Sequence, residues 1–365
     1  MRKLFISIII FTFLLNACSE KRLRTEVVEG NDKPFSIGTD SLLTPSVFVS
    51  ADSLRETGFV PTLENELISN KNTIYSVSFL MAWNEIKKAL KDSILVAPTN
   101  SNDFKLLNAS NSFRNALKSS EYKTEVRFQD GIVAKAYFNK VLPFDNSFDE
   151  MKQPLIFQKQ AVEAFGINQY SVDLAGIVNI YYYDSDNNFV IGIEAKDSNH
   201  EIIFAKGISS TGTLLSSFKE VKKKIQLGLV EKMQEKNLWK YSYLREDKLA
   251  IPVLQYAIEN TYSEVQGQYF VTYHKVPYVV SEAYQKIVFC LNQNGVAVSD
   301  FSRIVVDSMS SFPKAKPKSF VFDKPFFFML KRKDASYPYY AMYIRNTELM
   351  IKTSAGTKAN NGSQY

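Results

Sequence analysis

The sequence predicts a single α+β domain with large mixed and antiparallel β-sheets and surrounding helices. The 365 residues are 45% hydrophobic with only 12 Pro and 14 Gly, which is typical of a chain that buries a sizeable core. Strand-like segments fill most of the chain after residue 120, and nothing repeats at a fixed period, which excludes solenoids and propellers. Phe326-Phe-Phe-Met-Leu330 is apolar on every side, as is typical of a central strand buried on both faces.

The composition excludes several classes of protein. The net charge is +6 and the basic runs, such as Lys222-Lys223-Lys224, are short, so we expect no nucleic-acid partner. The two cysteines and two histidines are far apart in the sequence and lack the close spacing of the four ligands of a structural zinc site, so we expect no metal and no other cofactor. His274 lacks a nucleophile motif around it, and Cys290 lies in the pattern of a buried strand. We therefore expect a protein that is not an enzyme and has no catalytic residues.

The N-terminus has the features of a targeting segment. Two basic residues precede the apolar run Leu4–Leu15, which has signal-peptide length and is short for a membrane span. Leu15-Asn-Ala-Cys18 resembles the bacterial lipobox, which implies a lipoprotein signal peptide over 1–17 and lipidation of Cys18. An ordinary secretory signal and an uncleaved anchor that contains a cysteine are the alternatives.

This interpretation predicts a location at a membrane. We expect a bacterial cell-envelope protein that an N-terminal acyl chain holds on the lipid bilayer, with the outer membrane favoured over the inner one. The protein would face either the periplasm or the cell surface. Residues 18–55 are polar and unpatterned, which predicts a flexible tether, and residues 351–365 predict a disordered tail. The folded domain is then 56–350.

Two segments have helical periodicity. The spacing of apolar residues over 73–91 predicts a buried helix. A second, long amphipathic helix is predicted over 213–236, where the following apolar residues recur: Leu214, Phe218, Val221, Ile225, Leu229 and Met233.

The remaining folded segments are rich in β-branched and aromatic residues and alternate as strands do. Residues 184–188, rich in Asp and Asn, predict a hairpin turn between two of them. The predicted strands are 126–128, 131–138, 178–183, 188–194, 201–205, 248–258, 268–273, 284–291, 303–307 and 325–330.

The last third of the chain resembles the serpins, a family of protease inhibitors. Val280-Ser-Glu-Ala-Tyr-Gln-Lys-Ile-Val-Phe-Cys-Leu-Asn-Gln-Asn-Gly295 is similar to the serpin segment that runs along a central strand into the hinge of the reactive loop. Phe320-Val-Phe-Asp-Lys-Pro-Phe-Phe-Phe-Met-Leu330 resembles a second serpin motif, in the same order along the chain. Weaker resemblances lie at Tyr339–Asn346, Asn72–Ser76 and Lys248–Leu254. The resemblance covers 248–350 well, and the shortened N-terminal part implies that some family helices are missing.

The resemblance implies where the functional segments lie. It assigns a reactive loop to about 295–318, with a hinge at Gly295, Val296, Ala297 and Val298. It assigns a sheet-opening region to Ser76, Gln285 and Asn292. In the family register, the core-facing side chains of an inserted loop are those of Val296, Val298, Asp300, Ser302 and Ile304.

The scissile bond stays ambiguous at the level of sequence. The family spacing counted from Gly295 gives Met309-Ser310. Counting back from Pro325 points to Lys314, because this loop is longer, and Arg303 is a further alternative for a trypsin-like enzyme.

The resemblance implies a suicide substrate for an extracellular or periplasmic protease of the serine or cysteine type. The protease cuts the reactive loop, which then inserts into the main sheet as an extra strand. The alternative is a non-inhibitory binding or structural lipoprotein of the same fold. Asp300 favours that alternative, because burying an unpaired carboxylate is costly.

Overall fold

The computed structural model describes residues 48–91, 94–96, 101–128, 132–296 and 316–353, which form a single α+β domain. The helices are α1 (Ser78–Leu90), α2 (Asn102–Ala109), α3 (Val172–Gly176) and α4 (Leu214–Lys232), with 3₁₀ helices at Ala51–Ser53 and Glu235–Tyr241. The strands are β1 (Val49–Ser50), β2 (Thr57–Val60), β3 (Asn72–Ser76), β4 (Ile94–Val96), β5 (Tyr122–Phe128), β6 (Ile132–Phe138), β7 (Leu142–Pro143), β8 (Asp149–Glu150), β9 (Leu155–Phe157), β10 (Gln160–Val162), β11 (Ala164–Gly166), β12 (Val178–Ser185), β13 (Asn188–Ile193), β14 (His200–Lys206), β15 (Lys248–Pro252), β16 (Leu254–Thr261), β17 (Tyr269–Thr272), β18 (Pro277–Val279), β19 (Tyr284–Leu291), β20 (Gly295–Val296), β21 (Ser319–Val321), β22 (Phe326–Arg332) and β23 (Tyr340–Ile344).

A seven-stranded mixed sheet with the order β12-β13-β14-β22-β23-β3-β2 forms the centre of the domain. The apolar strand β22 pairs with β14 on one side and β23 on the other, and Phe326–Leu330 is buried along its whole length. The prediction of a central strand buried on both faces is therefore confirmed. The other predicted strands are present as well, except 303–307, which lies outside the described residues. The predicted strand 248–258 is two strands, β15 and β16, which pair in different sheets.

The first predicted helix begins later than its apolar spacing indicates. Asn72–Ser76 is the fully buried strand β3, which pairs with β2 and β23, and helix α1 begins at Ser78. Two neighbouring strands offer this segment backbone hydrogen bonds on both sides, and that tertiary pairing outweighs local helical spacing. Helix α1 packs on both β6 and β19, so one helix supports two different sheets.

The N-terminal half of helix α4 buries the apolar residues that the sequence predicts to face the core, whereas the C-terminal half exposes them. Phe218 and Val221 are buried, whereas Leu229 and Met233 are exposed. A strict four-residue spacing drifts around a helix of 3.6 residues per turn. Gly228 takes the inward position instead, because a Cβ there would lie 1.8 Å from the carbonyl oxygen of Tyr181.

Two smaller sheets contain the strands that precede and include the hinge motif. One has the order β1-β16-β19, and the other is the hairpin β5-β6. Strand β1 pairs in parallel with β16, although it lies inside the range that the sequence assigns to a tether. Among the residues that the structure describes, none of the helices is long and apolar enough to cross a bilayer.

Candidate functional site around the hinge after strand β19

Strand β19 brings the hinge motif to the surface of the domain. It pairs along its whole length with β16, and its side chains alternate between the two faces. Ile287, Phe289 and Leu291 are buried, whereas Tyr284 and Lys286 face solvent. After Leu291 the chain reverses direction, and Asn292 forms an antiparallel bridge with Gly295.

Gly295 has a backbone that other residues would not adopt without strain. Its φ is +92°, in the left-handed region that favours glycine. It pairs with Pro143, and a Cβ would lie 2.3 Å from the backbone nitrogen of Phe144 and 2.9 Å from the carbonyl oxygen of Leu142. Both the conformation and the space therefore require glycine at this position. Val296 continues the ladder opposite Leu142.

The wall against which the hinge lies is Leu142–Phe148. The backbone N–H of Phe144 donates to the carbonyl of Asn294 at 3.3 Å, and that of Phe148 donates to the carbonyl of Gln293 at 2.8 Å. The rings of Phe144 and Phe148 meet edge to face at 5.2 Å and pack together on a third buried ring. The aromatic side chains thus pack together and support the wall, while the backbone carbonyls of Gln293 and Asn294 accept hydrogen bonds from it.

Gln285 and Ser76 meet at the other end of β19. The Gln285 Nε2 donates to the carbonyl of Ser76 at 3.2 Å and to the Oγ of Ser78 at 2.7 Å. Its Oε1 accepts a 2.8 Å hydrogen bond from the Tyr262 hydroxyl. Burial raises the pKa of Tyr262 well above its usual value, so this hydroxyl stays protonated and donates. The buried amide therefore connects β19 to the start of α1.

Asn292 lies away from this pair, seven residues along β19, or about 23 Å in an extended strand. Its Oδ1 accepts from the backbone N–H of Asn294 at 3.0 Å, which stabilises the reversal before Gly295. Its Nδ2 lies 3.6 Å from the Sγ of Cys290. Cys290 is a free, buried thiol whose pKa is raised by burial, as its strand pattern predicts. The predicted sheet-opening set is thus divided between the two ends of one strand.

The described part of the chain resumes at Lys316, and Lys318 is already held by buried contacts. The Lys318 ammonium and the Asp247 carboxylate form a 2.7 Å ion pair, and both side chains are fully buried. The Lys318 Nζ also donates to the carbonyl of Trp239 at 3.0 Å, and the Lys318 backbone N–H donates to Asp247 Oδ1 at 2.7 Å. Burial lowers the pKa of Lys318, and Asp247 opposes that effect. Both described ends of the segment 297–315 are therefore fixed.

Strands β6 and β19 are each at the edge of a sheet. Strand β6 pairs with β5, and β19 pairs with β16, and neither has a second long partner within the described ranges. The short ladder of β20 on β7 begins between the end of β19 and the segment that follows β6. An edge strand presents backbone groups that can pair with another strand.

A partly buried ionic cluster holds the hairpin β5-β6 against the central sheet. Glu121, just before β5, is 2.6 Å from the ammonium of Lys140, which follows β6. Its other contacts reach the central sheet: His200 Nε2 at 2.9 Å and Arg332 Nε at 3.4 Å. Asp197 lies 3.5 Å from Lys140 and 3.4 Å from His200. The open end of the hairpin is thus bonded to the strands beside it.

The charges in this cluster explain its pKa directions. Burial alone would raise the pKa of Glu121, but the Lys140 ammonium, the Lys118 backbone N–H and His200 together lower it to about 2. Burial and the charge of Lys140 lower the pKa of His200. Glu121, Asp197 and His200 have ligand atoms within 4.8 Å of one another, which is close enough to share a metal ion. Lys140 and Arg332 already neutralise those carboxylates, so the cluster is an ion-pair network.

Several predicted site residues lie outside the described residues. They are Cys18, Ala297, Val298, Arg303, Met309, Ser310 and Lys314. The structure brings Gly295 and Val296 onto the wall, and it brings Ser76 and Gln285 together.

Sequence reasoning missed the partners of the hinge. The wall Leu142–Phe148 and the ion pair Lys318–Asp247 belong to segments that carry no motif of their own. The one available signal was Gly295, since a required glycine implies that another backbone lies close to it.

No family model and no curated protein matches the chain. Solved structures similar to it include serpin-12 of Manduca sexta, with 12% identity and a TM-score of 0.36, covering 60% of this chain and 57% of that one. A serpin of the trematode Schistosoma haematobium has 13% identity and a TM-score of 0.35, covering 59% and 56%. Thyroxine-binding globulin in complex with thyroxine has 15% identity and a TM-score of 0.32, with the same coverage. The chain thus spans little more than half the length of these structures.

Proposed function

We propose that the protein is a serpin-like protease inhibitor whose loop after Gly295 inserts between β6 and β19 once a protease has cut it. The observation that carries this proposal is the ladder of Gly295–Val296 on Leu142–Pro143. In this proposal, Gly295–Val296 is the beginning of the inserted strand, which would run between the edge strands β6 and β19. The motif resemblance of 280–330 to the serpins is independent support from the sequence.

The register of the ladder defines the path of the inserted strand. In antiparallel pairing, each step forward from Gly295 is a step back on both neighbours. On the β19 side, Val296 would lie opposite Leu291, and residue 303 opposite Tyr284. On the β6 side, Val296 lies opposite Leu142, and residues 300–306 would lie opposite Phe138–Ile132. A strand of about ten residues would therefore fill the space along both edges.

The same register predicts which loop side chains face the core. Residues directly opposite in a ladder share a face, so those opposite Leu291, Phe289 and Ile287 would be buried. These are Val296, Val298 and Asp300, followed by Ser302 opposite Gln285. Extending the ladder in this way gives the same core-facing positions as the family resemblance implies, which supports the proposal.

The chemistry of inhibition needs no catalytic residue from this chain. The serine or cysteine nucleophile of the protease attacks the scissile carbonyl, the C–N bond breaks, and the amine of the downstream segment takes up the nucleophile's proton and becomes a new amino terminus. The acyl-enzyme then persists because insertion of the loop moves the bound protease and disturbs the geometry that hydrolysis of the acyl bond requires. New backbone hydrogen bonds on both sides of the loop would supply the driving force.

The test is incubation with elastase, chymotrypsin and trypsin, followed by denaturing gel electrophoresis. We expect a band at the summed mass of protein and protease that survives boiling. The released peptide identifies the cut bond among Met309-Ser310, Lys314-Ala315 and Arg303-Ile304. Cleavage that leaves the protease fully active would contradict inhibition.

A matched pair of variants tests insertion itself. Val298→Arg would place a guanidinium on the core face opposite Phe289, so the variant should be cut as an ordinary substrate. Ala297→Arg would point away from that face and should still form the complex. Equal behaviour of the two variants would exclude the proposed register.

Asp300 favours a second function, that of a non-inhibitory binding or structural protein with the same fold. Its carboxylate would be buried opposite Ile287 and beside Phe138, which disfavours full insertion by several kcal/mol in an apolar site. In that case, loop cleavage would leave the melting temperature unchanged.

We further propose that Cys18 is lipidated and holds the protein at the bacterial envelope. The lipobox resemblance of residues 15–18 supports this location. Cys18→Ser should move the protein from the membrane fraction to the soluble fraction and abolish incorporation of labelled palmitate. Retention of the label in that variant would contradict the assignment.

A further inference from the structure

Four large apolar side chains are exposed together on the C-terminal half of α4 and at the residue that caps it. Leu227, Leu229, Val230 and Met233 leave between 46% and 84% of their surface open. Single exposed apolar residues are common, but a contiguous group on one element is typical of a surface that contacts something apolar.

The N-terminal half of the same helix face is basic. Lys219, Lys222 and Lys223 are exposed, and no carboxylate pairs with them within the described part of the chain. Lys219 and Lys223 are one turn apart and lie on the line that continues to Val230 and Met233. The outer face of α4 thus changes from basic to apolar along its length.

The acidic residues of α4 do not disturb this face. Glu220 pairs with Lys224 at 3.5 Å, and Glu231 pairs with Lys240 at 3.0 Å, so each carboxylate is already neutralised. The helix cannot turn the face inward, because Gly228 lies directly against the backbone of Tyr181.

We propose that this outer face of α4 docks on an anionic lipid bilayer. The apolar C-terminal half would enter the boundary between headgroups and acyl chains, and the lysines would lie among anionic headgroups. An exposed helix face that combines lysines with large apolar side chains is the usual signature of interfacial binding. The proposal does not depend on protease inhibition.

The charge pattern favours a bilayer over a second copy of the chain. Two such faces packed in parallel would bring lysines against lysines, and packed antiparallel would bring lysines against apolar side chains. Both arrangements desolvate ammonium groups without a partner. A bilayer surface accommodates both halves, because lysine side chains reach the headgroups while apolar ones are buried.

The experiment uses the full chain reconstituted in vesicles of phosphatidylcholine, with or without phosphatidylglycerol. Met233→Trp places an indole at the most exposed of the four apolar positions, and brominated lipids quench an indole that enters the bilayer. The wild-type chain serves as the blank for Trp83 and Trp239. We expect a blue shift and quenching of the introduced indole in the anionic vesicles.

Matched variants separate docking from the effect of the N-terminal segment, which all of them share. Tyr269→Trp places an indole on β17, where the side chain is 67% exposed, and should not be quenched. Lys219→Glu, Lys222→Glu and Lys223→Glu together should abolish the quenching at position 233. The same charge change elsewhere, at the exposed Lys105, Lys152 and Lys248, should leave it intact.

Each contrary result overturns the proposal. An indole at position 233 that anionic vesicles do not quench excludes docking, and equal quenching at 233 and 269 excludes a specific face. Equal loss of quenching in the two charge-reversed sets would exclude a specific role of the α4 lysines in docking. A blue shift that grows with protein concentration without vesicles would identify a second copy as the occupant.

Discussion

Gly295 lies opposite Pro143 so closely that a Cβ on it would be 2.3 Å from the backbone nitrogen of Phe144. This contact joins the end of β19 to the wall that follows β6. The ladder continues for one more described residue, with Val296 opposite Leu142.

Gly295→Ala should break this contact. The positive φ of +92° and the clash with the wall together cost about 2–4 kcal/mol. The N–H groups of Phe144 and Phe148 should then exchange faster by at least about tenfold, as measured by hydrogen–deuterium exchange of the 142–148 peptide. Gly267→Ala is the control, because its φ is +82° but no atom lies within 4 Å of its Cβ. Unchanged protection in Gly295→Ala would refute the close approach.

Gln285→Leu should destabilise the domain by about 1–3 kcal/mol. The substitution leaves the Ser76 carbonyl and the Tyr262 hydroxyl buried without their present partner. Urea denaturation measures the loss. Gln293→Leu is the control, because that amide bonds to Glu150 at the surface and should cost less than about 0.5 kcal/mol. Equal costs for both would contradict the buried network.

Lys318→Met should be the most destabilising of these changes, at about 3–5 kcal/mol. It leaves the carboxylate of Asp247 buried without its cation. Lys318→Met combined with Asp247→Asn should recover part of the loss, since neither charge then remains and the amide oxygen still accepts one of the two backbone N–H groups that the carboxylate bonds. Thermal unfolding of the two single variants and the double variant measures the coupling, and simple additivity would argue against the pair.

Acid should weaken the attachment of the hairpin β5-β6. His200 faces Glu121, Asp197, Lys140 and Arg332, and its pKa in the fold is below the usual 6.5. The unfolded chain therefore binds the proton more readily, so stability is full above pH 6.5 and falls below it. The pKa of Glu121 is about 2 against an ordinary 4.5, so its contribution is lost as the pH falls from 4.5 towards 2.

Melting temperature against pH checks this dependence. His200→Gln should flatten the decline just below pH 6.5, because the group that titrates there is gone. His274→Gln is the matched control, since that side chain is on the exposed turn between β17 and β18 and outside the ionic cluster. A slope that His200→Gln leaves unchanged would place the titration elsewhere.

Asp300→Val should strengthen insertion of the cut loop. In the proposed inserted register, this position would face the core opposite Ile287, where valine is favourable and a carboxylate is not. Cleavage should then raise the melting temperature more in the variant than in the wild type. Ser299→Val is the control, because this position would face the other side in the proposed register. An equal rise in both variants would rule out the proposed face.

The elements of this protein were largely determined by its sequence, because their signals are local. The all-apolar Phe326–Leu330 predicts a central strand, and the alternation of Tyr284–Leu291 predicts a strand with one buried face. Glycine at the predicted hinge position 295 fits the positive φ that the structure has there. A bonding role for Gln285 was also predictable, since a buried amide must find partners.

Which segments these elements contact was decided by the tertiary structure alone. Leu142–Phe148 was not recognisable as the wall, because its role consists of backbone hydrogen bonds to residues about 150 positions away. The strand Asn72–Ser76 formed in place of a helical turn because β2 and β23 lie on either side of it. The exposed Leu229 and Met233 depend on the contact of Gly228 with Tyr181, which sets how α4 is rotated on its sheet. Local pattern specifies the type of an element, whereas its partners depend on the packing of the whole chain.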